Sequence, residues 1–358
     1  ENGRYLGAFT LKKPGGDSEG FKDLHHCGGE TSAGKDGRLY HQTGGFDWPQ
    51  KKKYNPGTIR RYGGDGKAAP YPALNKYFIK KFYQGHHRQA GRFATRSGDL
   101  YLANFAGYRG RDQKEPGLDV TVIAPDGAIK HPSLVKVVGA APGGIAVDPR
   151  GNIYMGLQVW PKGKRLPDFF AGKLPPSSKH QHPQRAYQQH GAIVKFPPTG
   201  GRVGLDSAGG YRGKAGGYAE RRDWKREPDG SVRLKLDGAE WVRRAGYIAI
   251  NNIKYEVGCS CENTRFDVDP HGRVLVPDLF RFRVTVLDGA GNEVTRFGGY
   301  GNMDNRGPES ARPEPAIPFG WPVALQVFGG RVYVADTNNR RVVVARLGNA
   351  VTETCAVE

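Results

Sequence analysis

No stretch of this 358-residue chain approaches the ~18 consecutive apolar residues that a membrane-spanning helix needs, so no helical bilayer span is expected. Several short signatures of familiar chemistries are missing too. There is no His-Glu-x-x-His, no pair of Cys-x-x-Cys motifs, no Cys-x-x-Cys-His and no Gly-x-Gly-x-x-Gly. Those absences remove helical zinc proteases, zinc fingers, covalently attached c-type haem and dinucleotide-binding folds from the reading. No serine is flanked by an assignable base, so nucleophilic catalysis has little support. Acidic residues are few as well, 35 against 54 Lys and Arg.

What is present points to a folded, strand-rich protein. Apolar residues make up 37% of the chain and aromatics 11%, which excludes a disordered composition. The chain holds 53 glycines and 25 prolines among many Val, Tyr and Phe, a mixture that favours short strands joined by tight turns over long helices.

The net charge of +19 is unevenly spread. Between Lys51 and Glu115 fifteen Lys or Arg face four Asp or Glu. Such a field attracts polyanions or acidic protein surfaces and makes binding sensitive to salt. The candidate partner-binding cations are Lys51, Lys52, Lys53, Arg60, Arg61, Lys80, Lys81 and Arg88. Basic residues interleave with rings in "KKKYNPGTIRRYGG" and "NKYFIKKFYQGHHR", a pattern that also suits single-stranded RNA. The chain begins at Glu1, and its cysteines are even in number: Cys27, Cys259, Cys261 and Cys355. We read these as marks of an exported protein, extracellular or periplasmic, with its leader removed and structural disulfides formed. A bond between Cys259 and Cys261 would close a small strained ring; three connectivities stay open.

A repeat organises the sequence. A turn glycine precedes an apolar strand at Gly37, Gly98, Gly151, Gly272 and Gly330, at intervals of 61, 53, 121 and 58 residues. The long interval leaves room for a degenerate copy, for which Asp229–Ile250 is the best candidate. Within each copy an apolar strand, a glycine turn and a second apolar strand recur, as in "GGIAVDPRGNIYMG", "TRFDVDPHGRVLVPD" and "VALQVFGGRVYVADTNNRRVVVARL". Short antiparallel strands repeating at this period predict an all-β chain built as a single β-propeller, with six blades and seven as the alternative count. The strand-like "NGRYLGAFT" at the start and the final "RRVVVARLGN" suggest that Gly3–Thr10 completes the last blade and closes the ring. The propeller spans 1–358 as one domain, with a Pro-rich basic insertion at 157–190 and a Gly- and Arg-rich loop region at 201–225.

The same motifs resemble the NHL-repeat family of β-propellers, whose blades read roughly as G-I-A-V-D-x-x-G-x-I-Y-V-x-D followed by N-x-R-V-x-V-F. The resemblance covers about 93–160 and 262–348 and fades elsewhere. It implies a fold that hosts binding modules, RNA binders and lyases, with a divalent metal near the axis in related enzymes. On that implication His25, His26, His86 and His87 are the metal candidates, and calcium or zinc the ion. Asp148, Asp267, Asp269, Asp278, Asp288 and Asp336 recur at repeat positions, which reads as turn capping rather than catalysis. The expected function is a non-catalytic docking or assembly module for an acidic protein or anionic polysaccharide, within a multi-subunit or filamentous assembly. A metal-dependent lyase or hydrolase is the alternative, and single-stranded RNA binding the third reading.

Overall fold

A computed structural model describes residues 11–12, 29–45, 55–82, 92–103, 119–137, 144–157, 191–205, 234–247, 264–302 and 314–348. Among them there is no α-helix, only a single 3-10 turn at Leu279–Arg281. The strands form successive antiparallel sheets in chain order. The first sheet holds β1 (Gly29–Ala33), β2 (Leu39–Gly45), β3 (Asn55–Tyr62) and β4 (Phe78–Phe82). The second holds β5 (Arg92–Ala94), β6 (Leu100–Ala103), β7 (Val120–Ile123) and β8 (Ile129–Val137).

The third begins with β9 (Gly144–Val147), β10 (Ile153–Leu157) and β11 (Gly191–Phe196). Before its last strand the chain makes a hairpin, β12 (Gly201–Leu205) and β13 (Leu234–Asp237), and then returns as β14 (Trp241–Tyr247) beside β11. The fourth sheet is β15 (Asp267–Val268), β16 (Val274–Asp278), β17 (Arg283–Leu287) and β18 (Glu293–Phe297). A short parallel pair, β19 (Gly299–Tyr300) with β20 (Pro318–Phe319), precedes the fifth sheet. That sheet is β21 (Pro322–Phe328), β22 (Arg331–Asp336) and β23 (Arg341–Arg346).

Each sheet packs face to face on the next, which is why the inner strands are apolar on both sides. Every residue of β9, β10 and β16 is buried. Tyr40, Ile59 and Ile79 meet Leu100, Leu102 and Ile123 between the first and second sheets. Val120, Val135 and Val137 meet Ile145, Met155 and Val194 at the next seam. Ala146, Tyr154 and Ile193 then meet Val268, Val274 and Val276. Leu275, Val284 and Val286 meet Leu325, Val327, Val332 and Val334 at the fourth seam. Burying one such side chain contributes roughly 1.5–3 kcal/mol, so these four seams carry most of the cohesion. Sheets stacked radially in this way make a β-propeller.

Five blades stand among the described residues, not six. The segment expected to be a degenerate sixth blade is divided between two neighbours. Leu234–Asp237 pairs with β12, while Trp241–Tyr247 is the outer strand of the third blade. Because β12 runs parallel to β8, the hairpin widens the second blade to six strands. The Gly- and Arg-rich region expected as loop from residue 201 therefore opens as a strand, and Leu157, the expected first residue of the insertion, is the last of β10. Gly3–Thr10 lies outside the described residues.

Alternating strand direction sorts the connections between two rims. The tight turns Gly34–Gly37, Asp126–Gly127, Asp148–Gly151, Pro197–Gly200, Asp269–Gly272 and Asp288–Gly291 share one rim. The strands flanking 46–54, 83–91, 104–118, 158–190 and 206–233 end on the other. One glycine on the turn rim allows no side chain. Gly200 has φ of +80°, and a Cβ there would lie 1.8 Å from the Leu134 carbonyl oxygen. Gly200→Ala should cost about 1–3 kcal/mol in denaturant titration and loosen β12 from β8. An unchanged midpoint would show that the hairpin does not depend on this close approach.

Candidate functional site

Three of the recurring aspartates, Asp148, Asp269 and Asp288, are built into turns. Asp148 Oδ1 accepts the backbone N–H groups of Arg150 and Asn152 (2.9 Å each), while Oδ2 accepts Asn152 Nδ2 (2.7 Å) and the Tyr154 hydroxyl (3.1 Å). Asp269 and Asp288 repeat the pattern with His271 and Arg273, and with Ala290 and Asn292. A short carboxylate closes its own turn in this way, as an Asx-type cap. Asp336 works differently. Its Oδ1 accepts Gly320 and Trp321 N–H, and its Oδ2 accepts Asn339 and Arg341, so it fastens the end of β22 to the start of β21.

Asp267 occupies the hub. It lies on innermost β15 and is buried. Its Oδ2 accepts Val327 N–H (2.8 Å) from the fifth blade and Lys35 Nζ (2.7 Å) from the β1–β2 turn of the first. Oδ1 accepts Val268 N–H (2.8 Å). Lys35 Nζ also donates to the Val327 carbonyl (2.6 Å) and sits 6.0 Å from the Phe93 ring centroid of the second blade. One ammonium of the first blade thus touches or approaches three others. Burial pushes the Asp267 carboxyl above its usual range, against the pull of Lys35 and the backbone N–H donors. Beside it, Gln326 Nε2 donates to the Ala33 carbonyl at 3.4 Å. Both hub carboxylate oxygens are engaged, so this group braces strands rather than standing ready as an acid or base.

Lys195 makes a similar brace further out. It donates to the Gly289 carbonyl (2.9 Å) and pairs with Glu240 (2.7 Å), and Trp241 Nε1 donates to the same Gly289 oxygen.

The expected partner-binding cations divide. Arg60 lies half-buried on β3. Arg61 is 2% exposed and turned inward. It donates to the carbonyls of Ala69 (3.0 Å), Pro125 (2.6 Å) and Pro70, and its guanidinium lies 3.7 Å from the Tyr71 ring centroid. It ties the first blade to the second and offers no charge to a partner. Lys80 and Lys81 belong to β4. Lys51, Lys52, Lys53 and Arg88 lie outside the described residues, as do the metal candidates His25, His26, His86 and His87 and all four cysteines. Among the described residues no three His, Cys, Asp or Glu side chains come together as a metal site. Gly16-Asp17-Ser18-Glu19-Gly20 has the G-x-S-x-G spacing of a nucleophile elbow and lies outside the described residues too. The strand–turn–helix such an elbow needs is not found among those described.

No known sequence family matches the chain, and neither does any curated protein, so membership of the NHL-repeat family is not confirmed. Among solved structures, the chain is similar to a catalytically inactive virginiamycin B lyase from Staphylococcus aureus crystallised with quinupristin. The identity is 9% and the TM-score 0.32, over 90% of this chain and 86% of that one. A likeness this slight speaks to neither substrate nor mechanism.

Proposed function

We propose that this propeller is a binding and assembly module that docks an acidic partner, a protein or an anionic polysaccharide, on the rim from which its long connections leave. The observation that carries this reading is the difference between the rims. On the turn rim the carboxylates of Asp36, Asp126, Asp148, Asp269 and Asp288 cap their own turns. The strands flanking the most basic sequences end on the opposite rim. Segment 158–190 holds six Lys or Arg against the single acidic residue Asp168, and 46–54 holds Lys51, Lys52 and Lys53 against Asp47. An excess of positive charge in sequences whose flanking strands end on one rim favours a polyanion there. Export from the cell and a multi-subunit setting belong to the same reading.

The test is binding to heparin and to polyglutamate across a salt series. Affinity should fall at least about tenfold between 0.05 and 0.5 M salt. Reversing Lys162, Lys164 and Arg165 to Glu should weaken binding about tenfold more at low salt. Absence of binding at low salt, or indifference to the reversals, overturns the proposal.

A further inference from the structure

Turns 278–283 and 336–341 hold the same place in the fourth and fifth blades, joining β16 to β17 and β22 to β23. Both lie on the rim of the long connections, because β16 and β22 run away from the turn rim. Each opens on a buried aspartate, Asp278 or Asp336. Each also has a left-handed residue in fifth place, Phe282 at φ +53° and Arg340 at φ +50°.

The two turns grip the segment that links the blades. The Phe282 ring meets the Tyr300 ring edge-on, with centroids 4.7 Å apart, and Trp321 stands 6.5 Å from Phe282. From the other turn Asn339 Nδ2 donates to the Gly301 carbonyl (2.8 Å). Asn302 Nδ2 donates to the Tyr300 hydroxyl (2.8 Å). Tyr300 is thus fixed by its ring and by its hydroxyl, yet it stays 37% exposed. Each turn adds an exposed cation. Arg281 is 58% exposed, and Arg340 is exposed in the neighbouring turn. Arg281 and Arg283 both donate to Asp278 Oδ2 (3.1 Å each), so two cations set against one buried carboxylate leave a surplus of positive charge.

We propose that this seam between the fourth and fifth blades binds a uronate unit of an anionic polysaccharide. The inference rests on the polyanion reading above and gives it a place and a partner class. One face of a sugar ring presents C–H groups, weakly positive, which suit the negative face of an aromatic ring. A uronate carboxylate suits an arginine fork. Sugar hydroxyls suit the amide side chains of half-buried Asn302 and exposed Asn338. Other polyanions match less of the site. A run of Asp or Glu brings carboxylates on flexible stems and no flat face for Tyr300. Single-stranded RNA stacks on a succession of rings, whereas Phe282 and Trp321, the other rings of this cluster, are half-buried.

Isothermal titration at low salt with oligogalacturonate, polyglutamate and polyuridylate of equal charge tests this. Oligogalacturonate should bind at least about tenfold tighter than the other two. Tyr300→Ala should weaken oligogalacturonate binding about tenfold and polyglutamate binding less than about twofold. Arg340→Gln, a change in an exposed side chain, should weaken oligogalacturonate binding about threefold. If Tyr300→Ala does not fold, Tyr300→Leu keeps the bulk without the aromatic face and should show the same loss, while Tyr300→Phe should bind as the parent does. Equal or tighter binding of polyglutamate or polyuridylate, or oligogalacturonate affinity that neither the Tyr300 nor the Arg340 change moves, overturns this proposal and leaves the polyanion reading standing. Absence of binding to all three overturns both.

Discussion

Lys35→Met is expected to lower the unfolding free energy by about 3–5 kcal/mol, because it leaves the buried Asp267 carboxylate without its counter-charge. Both side chains are well covered, 16% exposed for Lys35 and 6% for Asp267, so solvent screening rescues little. The companion Asp267→Asn, combined with Lys35→Met, should recover most of the loss, since no unpaired charge then remains at the hub. The pH dependence gives a second readout. The folded carboxyl already lies above its ordinary value, and losing Lys35 raises it further. A raised acid penalises the folded state while ionised. The penalty is fully present above the folded pKa and fades as pH falls through it towards ~3.9, the unfolded value. The Lys35→Met deficit should therefore shrink on acidification, by equilibrium denaturation at several pH values. A loss below about 1 kcal/mol that does not vary with pH would mean that Lys35 does not brace the hub.

Arg61→Met should be nearly as damaging, at about 3 kcal/mol or more. It strips three carbonyl oxygens of their donor, and an unsatisfied buried acceptor costs roughly 1–3 kcal/mol. It also removes the cation stacked on Tyr71. Arg61→Lys should fail to restore stability, because one ammonium cannot reproduce a planar fork directed at three oxygens. Yet folded Arg61→Met should bind polyanions with the salt dependence of the parent, since the buried guanidinium adds little to the outer field. A variant of full stability and weakened polyanion binding would return Arg61 to the docking surface.

These two residues mark where the sequence is legible and where it is not. The repeat glycines were readable because a turn needs a left-handed residue, and Gly37, Gly98, Gly151, Gly272 and Gly330 all have φ between +73° and +86°. Asp148, Asp269 and Asp288 were readable as turn caps for the same local reason, whereas Asp267 and Asp336, expected as caps too, join separate strands. Arg61 was misjudged although the signal existed. In "TIRRY" it stands two residues from Ile59, and strand alternation puts both on the inward face with Tyr40, its cross-strand partner. Lys35 had a fainter signal. Its turn carries Gly34 where the third blade has Asp148, and the capping carboxylate moves to Asp36, which accepts the Tyr40 hydroxyl at 2.7 Å. That the lysine then reaches β15 and β21 depends on closure of distant segments, which no local pattern encodes. The sixth blade failed for a similar reason. "SVRLKLDGAEWVRRAGY" reads as a hairpin, but its two strands belong to different sheets.

The hairpin of β12 and β13 gives the second and third blades a shared fate. It interrupts the third blade between β11 and β14, yet its hydrogen bonds are made with β8. Withdrawing β11 or β14 therefore pulls on the outer edge of the second blade, and the pair should melt as one cooperative unit. Synthesis runs from the N-terminus, so β8 emerges first and stands ready as the template on which β12 zips. The third blade should therefore finish after its predecessor, which would impose an order of assembly on part of a fold whose repeats could otherwise form in any sequence.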